Sequence, residues 1–118
     1  MKKILYVEDN IDTANAVKIM LDNAGFQTEI VSSGKEGVKK AEENFDLILL
    51  DIMLPDMSGW DVFEKIKNKS KAKIAFLSAI PVSDERMQEL KKSGVSDYIT
   101  KPFSKQDLIE RIKNILEE

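Results

Sequence analysis

Five short apolar runs alternate with five segments of helical period along this chain, and that alternation leaves few folds open. The runs Ile4–Val7, Thr28–Val31, Leu47–Leu50, Ile74–Leu77 and Tyr98–Thr100 are short and rich in β-branched or aromatic side chains, as strands are. Between the first two, Ala14, Val17, Leu21 and Ala24 share one helical face with Met20 beside them. The pattern returns less fully at Val38 and Ala41, at Phe63 and Ile66, at Met87 and Leu90, and at Leu108, Ile112 and Leu116. The punctuation agrees. Ser33 with Glu36, Ser58 with Asp61 and Ser104 with Asp107 have capping-box spacing, and Ser83 precedes two acids as an N-cap would. Gly25 and Gly94 stand where C′ glycines would close the first and fourth helices.

Such a βα series predicts an α/β domain: a parallel sheet with helices on both faces. The third run is apolar throughout and suits a central strand, whereas the second, "QTEIVS", alternates polar and apolar and suits an edge. Spacing alone does not set the strand order. The flavodoxin-like order 2-1-3-4-5, doubly wound with five helices, is the natural choice for five strands. At 118 residues the chain fits one domain, 1–118, and no linker or low-complexity tract divides it.

Composition then removes whole classes of function. The net charge is −3, and no basic cluster is interleaved with aromatics, so direct nucleic-acid binding is disfavoured. There is no cysteine for a disulfide or a thiolate metal site. There is no histidine either, which removes imidazole ligands, a histidine base and any phosphohistidine donor within the chain. The opening "MKKILYVEDN" has too short an apolar run for a signal peptide or a membrane helix, so a cytoplasmic home and no membrane contact are expected.

The ends of the runs carry the chemistry. In a parallel sheet all C-terminal strand ends lie together, and ligands bind in the crevice beyond them. The first run ends on Glu8 and Asp9, the third on Asp51, the fourth on Ser78 and the fifth on Lys101. A carboxylate at the tip of a core strand gains nothing from burial unless a positive group meets it. Three neighbouring acids repel unless they share a cation, and oxygen donors without histidine or cysteine favour Mg²⁺. Lys101 supplies a point charge for an anion and Ser78 a hydrogen bond. Together they make a kit for phosphoryl transfer, in which a carboxylate can itself be the nucleophile.

The whole chain resembles a receiver domain of two-component response regulators, of the chemotaxis-regulator kind. The resemblance rests on "VEDN" after the first strand, "LLDIMLPDMSG" around the third, "LSA" after the fourth and "YITKPF" at the fifth. It implies that Asp51 is the phosphoacceptor, served by a sensor histidine kinase or phosphotransfer protein. It also implies that Glu8, Asp9, Asp51 and the main-chain carbonyl of Met53 hold Mg²⁺, one of the acids through water. Lys101 would contact the phosphoryl group, its bond to Pro102 would be cis, and Ser78 and Tyr98 would form a switch pair. The surface of the fourth helix, fifth strand and fifth helix would then meet a downstream effector protein, a phosphorylation-dependent homodimer being a further form. The domain would catalyse only its own phosphorylation and dephosphorylation. Ending one helix after the fifth strand, it would be a stand-alone regulator or the receiver of a larger protein.

Each of these residues also has a plainer role. Glu8 and Asp9 alone would read as solvated acids, Asp51 as a turn cap, Lys101 as surface charge and Ser78 as a strand-end hydroxyl; their coincidence at one mouth favours a site. Tyr98 on an edge strand reads equally as packing. Asp56 and Gly59 read as turn residues, Asp12 as a first-turn helix acid, and Trp60 and Phe63 as packing. Two other functions compete. A Mg²⁺-dependent aspartyl-phosphate phosphohydrolase of the haloacid-dehalogenase kind would need an acid two residues after the nucleophile, where Met53 stands. An unphosphorylated protein-interaction module would not need the intact acid and lysine set. An FMN protein is disfavoured because Glu8 and Asp9 occupy the place of a phosphate-cradling loop.

Overall fold

The computed structural model describes residues 1–117. Its elements are β1 (Lys3–Val7), α1 (Ile11–Asn23), β2 (Gln27–Val31), α2 (Gly34–Lys40), β3 (Leu47–Leu50), α3 (Gly59–Ile66), β4 (Lys73–Ser78), α4 (Asp84–Lys92), β5 (Val95–Thr100) and α5 (Lys105–Glu117). The strands form one parallel sheet in the order β2-β1-β3-β4-β5. This is the expected flavodoxin-like order, with apolar β3 in the centre and the alternating β2 at an edge.

The side chains of β1, β3, β4 and β5 divide between two cores. Leu5, Val7, Ile48, Leu50, Ile74 and Phe76 join Val62, Phe63, Ile66 and Leu90 of α3 and α4. Ile4, Tyr6, Leu47, Leu49, Ala75 and Leu77 join Val17, Leu21, Leu108 and Ile112 of α1 and α5. Period-2 alternation therefore feeds both layers, which is why β3 tolerates no polar residue. Each fully buried Leu or Ile contributes about 1.5–3 kcal/mol relative to exposure.

The predicted serines all cap. Ser33, Ser58, Ser83 and Ser104 accept from the amides of Glu36, Asp61, Arg86 and Asp107 at 3.2, 3.2, 3.1 and 3.0 Å. Asn10 does the same for α1, accepting from Thr13 at 3.0 Å. Gly25 and Gly94 have φ of 95° and 108°, the left-handed conformation that a C′ residue must adopt. Two details differ from the sequence pattern. β5 begins at Val95 rather than Tyr98, because a register shift pairs Val95 with Ile74 and Asp97 with Ala75. Ser96 is then the extra residue of a bulge, and a bulge interrupts the alternation by which a strand is read. In α5, Ile115 is buried and Leu116 only half-buried, so the apolar stripe closes at i+3 rather than i+4.

The loop after β3 is drawn tight. Met53 and Ser58 form an isolated antiparallel bridge, and the Gly59 amide donates to Ile52 O at 2.8 Å. A Cβ on Gly59 would fall 2.2 Å from the Asp51 carbonyl oxygen, so only glycine permits this closure.

Candidate functional site

The sheet itself sets the positions of three expected site residues, since its ladder runs one residue beyond each strand concerned. Glu8 N–H donates to Val31 O at 3.0 Å, Asp51 N–H to Val7 O at 3.1 Å, and Lys101 N–H to Ser78 O at 2.8 Å. The peptide bond from Lys101 to Pro102 is cis, as the resemblance implied.

Above these anchors the side chains converge. Carboxylate oxygens of Glu8, Asp9 and Asp51 lie within 4.8 Å of one another. Lys101 Nζ donates to Glu8 Oε1 and, at 3.3 Å, to Asp51 Oδ2. Glu8 is 2 % exposed and Asp51 7 %, while Asp9 is open to solvent. Burial pushes the Glu8 carboxyl above its ordinary range; the Lys101 bond opposes this and the neighbouring Asp51 adds to it. The cleft over the acids encloses about 650 Å³ and is bordered by Met53, Leu54, Pro55 and Ala79. Met53 N–H donates to Asp51 Oδ1 at 3.3 Å, which holds the loop against the carboxylate. Three clustered oxygen donors, two of them deeply buried, fit a hard divalent cation such as Mg²⁺.

Ser78 and Tyr98 meet through one residue. Ser78 Oγ, almost fully buried, accepts from Ile80 N–H at 3.3 Å, and the Tyr98 hydroxyl donates to the carbonyl of the same Ile80. Tyr98, which reads from the sequence either as a switch residue or as packing, is packed. It lies inside, 1 % exposed, with its ring 5.9 Å from Phe76 and 6.4 Å from Trp60. The reason is aromatic packing: Trp60 lies 4.5 Å from Phe76, Phe63 lies 6.1 Å from Phe76, and Arg86 covers the Trp60 ring at 5.3 Å. Burial raises the Tyr98 phenol pKa, and the hydroxyl stays a donor. Trp60 and Phe63 are packing residues, as expected.

Asp56 is structural too. Its two oxygens accept from Gly34 N–H and Lys35 N–H, each at 2.8 Å, and close the first turn of α2. Asp12 lies in the first turn of α1.

Tyr6 was missed by sequence reasoning. Its hydroxyl donates to Glu8 Oε1 at 3.0 Å from beneath the acid cluster. Burial, then the charge of Glu8 and its hydrogen bond, then Asp51, hold the phenol far above the ordinary tyrosine range. In the sequence Tyr6 passes for one more core aromatic. The available signal was its place two residues before Glu8, on the same side of an extended chain.

Comparison with known proteins agrees with this geometry. The family model for the response regulator receiver domain matches residues 4–113. An uncharacterized transcriptional regulatory protein of Bacillus subtilis, YclJ, is 39% identical over 115 residues, which are 97% of this chain and 50% of that protein. The chain thus spans about half the length of the curated relatives it matches. A receiver domain protein (CheY-like) from Methanospirillum hungatei superposes with a TM-score of 0.88 at 35% identity, covering 99% of this chain and 94% of that one. The response regulator TrrA of Thermotoga maritima, solved with Mg²⁺ and BeF, gives 0.84 at 33% identity, covering 98% and 100%. With the family's fold, strand order and strand-end cluster of acids and lysine in place, this chain belongs to the response regulator receiver domain family.

Proposed function

We propose that Asp51 is the phosphoacceptor of a two-component phosphorelay. One observation carries the reading: Asp51 ends the central strand against Glu8, Asp9 and Lys101, three groups that only an added cation and anion together would engage in full. A histidine kinase or phosphotransfer protein supplies the phosphoryl group. A carboxylate oxygen of Asp51 attacks phosphorus, the P–N bond of the donor phosphohistidine breaks, and its nitrogen leaves with the electron pair. Glu8, Asp9, Asp51 and the Met53 carbonyl would hold Mg²⁺, which would supply positive charge to offset that of the phosphoryl oxygens. Lys101 leaves Glu8 and pairs with a phosphoryl oxygen, while the tight loop closed by Gly59 keeps the attacking carboxylate in line.

The Ile80 linkage supports the output. When the Ser78 hydroxyl turns to donate to the new phosphoryl oxygen, it releases Ile80 N–H. Ile80 also carries the carbonyl that holds Tyr98, so the change reaches β5 and the neighbouring faces of α4 and α5. A downstream effector or a second copy of the domain reads that face. The longer relatives are transcriptional regulators, so a transcriptional output lying outside residues 1–118 suits this reading. Within this chain nothing basic and aromatic addresses nucleic acid, and among the described residues no helix is long and apolar enough to cross a membrane. The whole chain acts as one switch domain that catalyses only the gain and loss of its own phosphoryl group.

The test is incubation with a small acyl-phosphate donor and Mg²⁺, followed by intact mass. One stable phosphoryl group per chain supports the switch. Continuous turnover of donor without a labelled protein indicates a phosphohydrolase, and neither outcome leaves only an interaction module.

A further inference from the structure

Glu8 Oε1 is shared by two donors of different kinds. Lys101 Nζ reaches it from the cleft, and the Tyr6 hydroxyl reaches it from the core at 3.0 Å. The remaining oxygen, Oε2, accepts from Asn10 N–H at 3.2 Å. Tyr6 is fully buried on β1 between α1 and α5, and its ring packs in that core. Lys101 sits on a side chain with solvent access, whereas Tyr6 has nowhere else to go.

That difference matters at one moment. If Lys101 turns toward an anion on Asp51, Glu8 loses its ammonium while 2 % exposed. A buried carboxylate that gives up one of its partners is costly unless the others make good the loss, and that cost would oppose the transfer of Lys101. The Tyr6 hydroxyl and the Asn10 amide remain on Glu8, beside the Mg²⁺ that it would help to hold, and share that charge. We propose that Tyr6 is a positioning residue of this site: by holding Glu8 Oε1 from below, its hydroxyl frees Lys101 to engage the phosphoryl group. This rests on the reading of Asp51 as phosphoacceptor and assigns to β1 a residue that touches neither phosphorus nor metal.

The experiment is a cycle of Tyr6→Phe and Glu8→Gln in the full chain at saturating Mg²⁺, with beryllofluoride as the anion and ¹⁹F NMR reading its binding. Phenylalanine keeps the ring in the core, and a cooperative melt checks the fold. In the parent background Tyr6→Phe should weaken beryllofluoride binding by about tenfold, because Glu8 then retains Lys101 more tightly. In the Glu8→Gln background, where the neutral amide holds Lys101 weakly, the same change should have an effect within about twofold. A merely structural role for Tyr6 would give equal losses in both backgrounds and overturn the proposal, as would unchanged binding in the parent background. Failure of the underlying reading is separately visible: Asp51→Asn would then still be labelled by the acyl phosphate. If Asp51→Asn loses labelling while Tyr6→Phe binds beryllofluoride as the parent does, only the assignment of Tyr6 falls.

Discussion

Asp51 and Asp56 stand five positions apart around one tight loop, and the protein satisfies them in opposite ways. Asp56 is exposed, yet each oxygen is held at 2.8 Å by a backbone amide of α2. Asp51 is 7 % exposed and has a lysine at 3.3 Å and one amide at 3.3 Å. Backbone amides cannot leave without unfolding the turn, so Asp56 is committed to structure. The Lys101 ammonium, on four methylenes, can move away. On the reading proposed above, a phosphoacceptor needs a displaceable partner, which Asp51 has and Asp56 lacks.

Exchanging the two acids for their amides should separate them completely. Asp51→Asn should abolish labelling by acyl phosphate while the domain stays folded, because an amide of nearly the same shape is a poor nucleophile. Asp56→Asn should label as the parent does. Intact mass after donor treatment decides, and loss of label in both variants would erase the contrast.

The displaceable partner can be removed instead. Lys101→Met leaves Glu8 buried beside Asp51 with no cation, which should cost about 3 kcal/mol without metal. Mg²⁺ supplies the missing charge, so melts with the ion should recover much of the loss. No such metal dependence belongs to Asp56. Equal destabilisation with and without Mg²⁺ would mean that Lys101 packs rather than neutralises.

The cleft's rim extends the comparison to the lifetime of the label. Met53, which borders the cleft, is 67 % exposed, and Ile80, next in the chain to the bordering Ala79, is 36 % exposed; both are large and apolar, and on the proposed reading they flank the approach to Asp51. Neither can orient a water for in-line attack on an aspartyl phosphate, and the chain contains no histidine to serve as a base. Self-dephosphorylation should therefore be slow for a receiver. Met53→Asn with Ile80→Glu should speed decay of the phosphorylated mass by about tenfold in Mg²⁺ buffer after donor removal. A parent that loses its label quickly, or a double variant that decays no faster, would count against this.

Much of this contrast was legible in the sequence, though unevenly. The strand tips could be read because a parallel sheet places all its C-terminal ends together, so Glu8, Asp9, Asp51, Ser78 and Lys101 needed only their runs to be found. Helix ends were legible because caps are local: each serine bonds an amide three residues on. What escaped depends on distant partners. Asp56 reads as a turn acid, but the amides it holds lie 21 and 22 positions earlier. Tyr6 reads as core because its hydroxyl's partner matters only once Glu8 is known to be buried. The inward pose of Tyr98 follows from Trp60 and Phe76 on other elements, and the start of β5 was hidden by the Ser96 bulge.

Acid titration offers the finest test of the difference between the two aspartates. The amides of Gly34 and then Lys35 lower the Asp56 pKa below its ordinary value. A carboxylate whose folded pKa is depressed contributes stability that is complete above its unfolded pKa and lost as pH falls through the folded one. The gap in Tm between the parent and Asp56→Asn should thus be level from neutral pH downward and close only below about pH 4. Its size should be a few degrees, because the amide variant keeps one acceptor but presents an N–H to an N–H at the other oxygen's place. The cap is solvent-exposed, so added salt should narrow the gap by screening the charge at the start of α2. Thermal melts from pH 3 to pH 8 at two salt concentrations measure both trends. A gap that persists unchanged in acid would show that the carboxylate's charge is irrelevant to the turn, and that shape alone holds α2 to the loop.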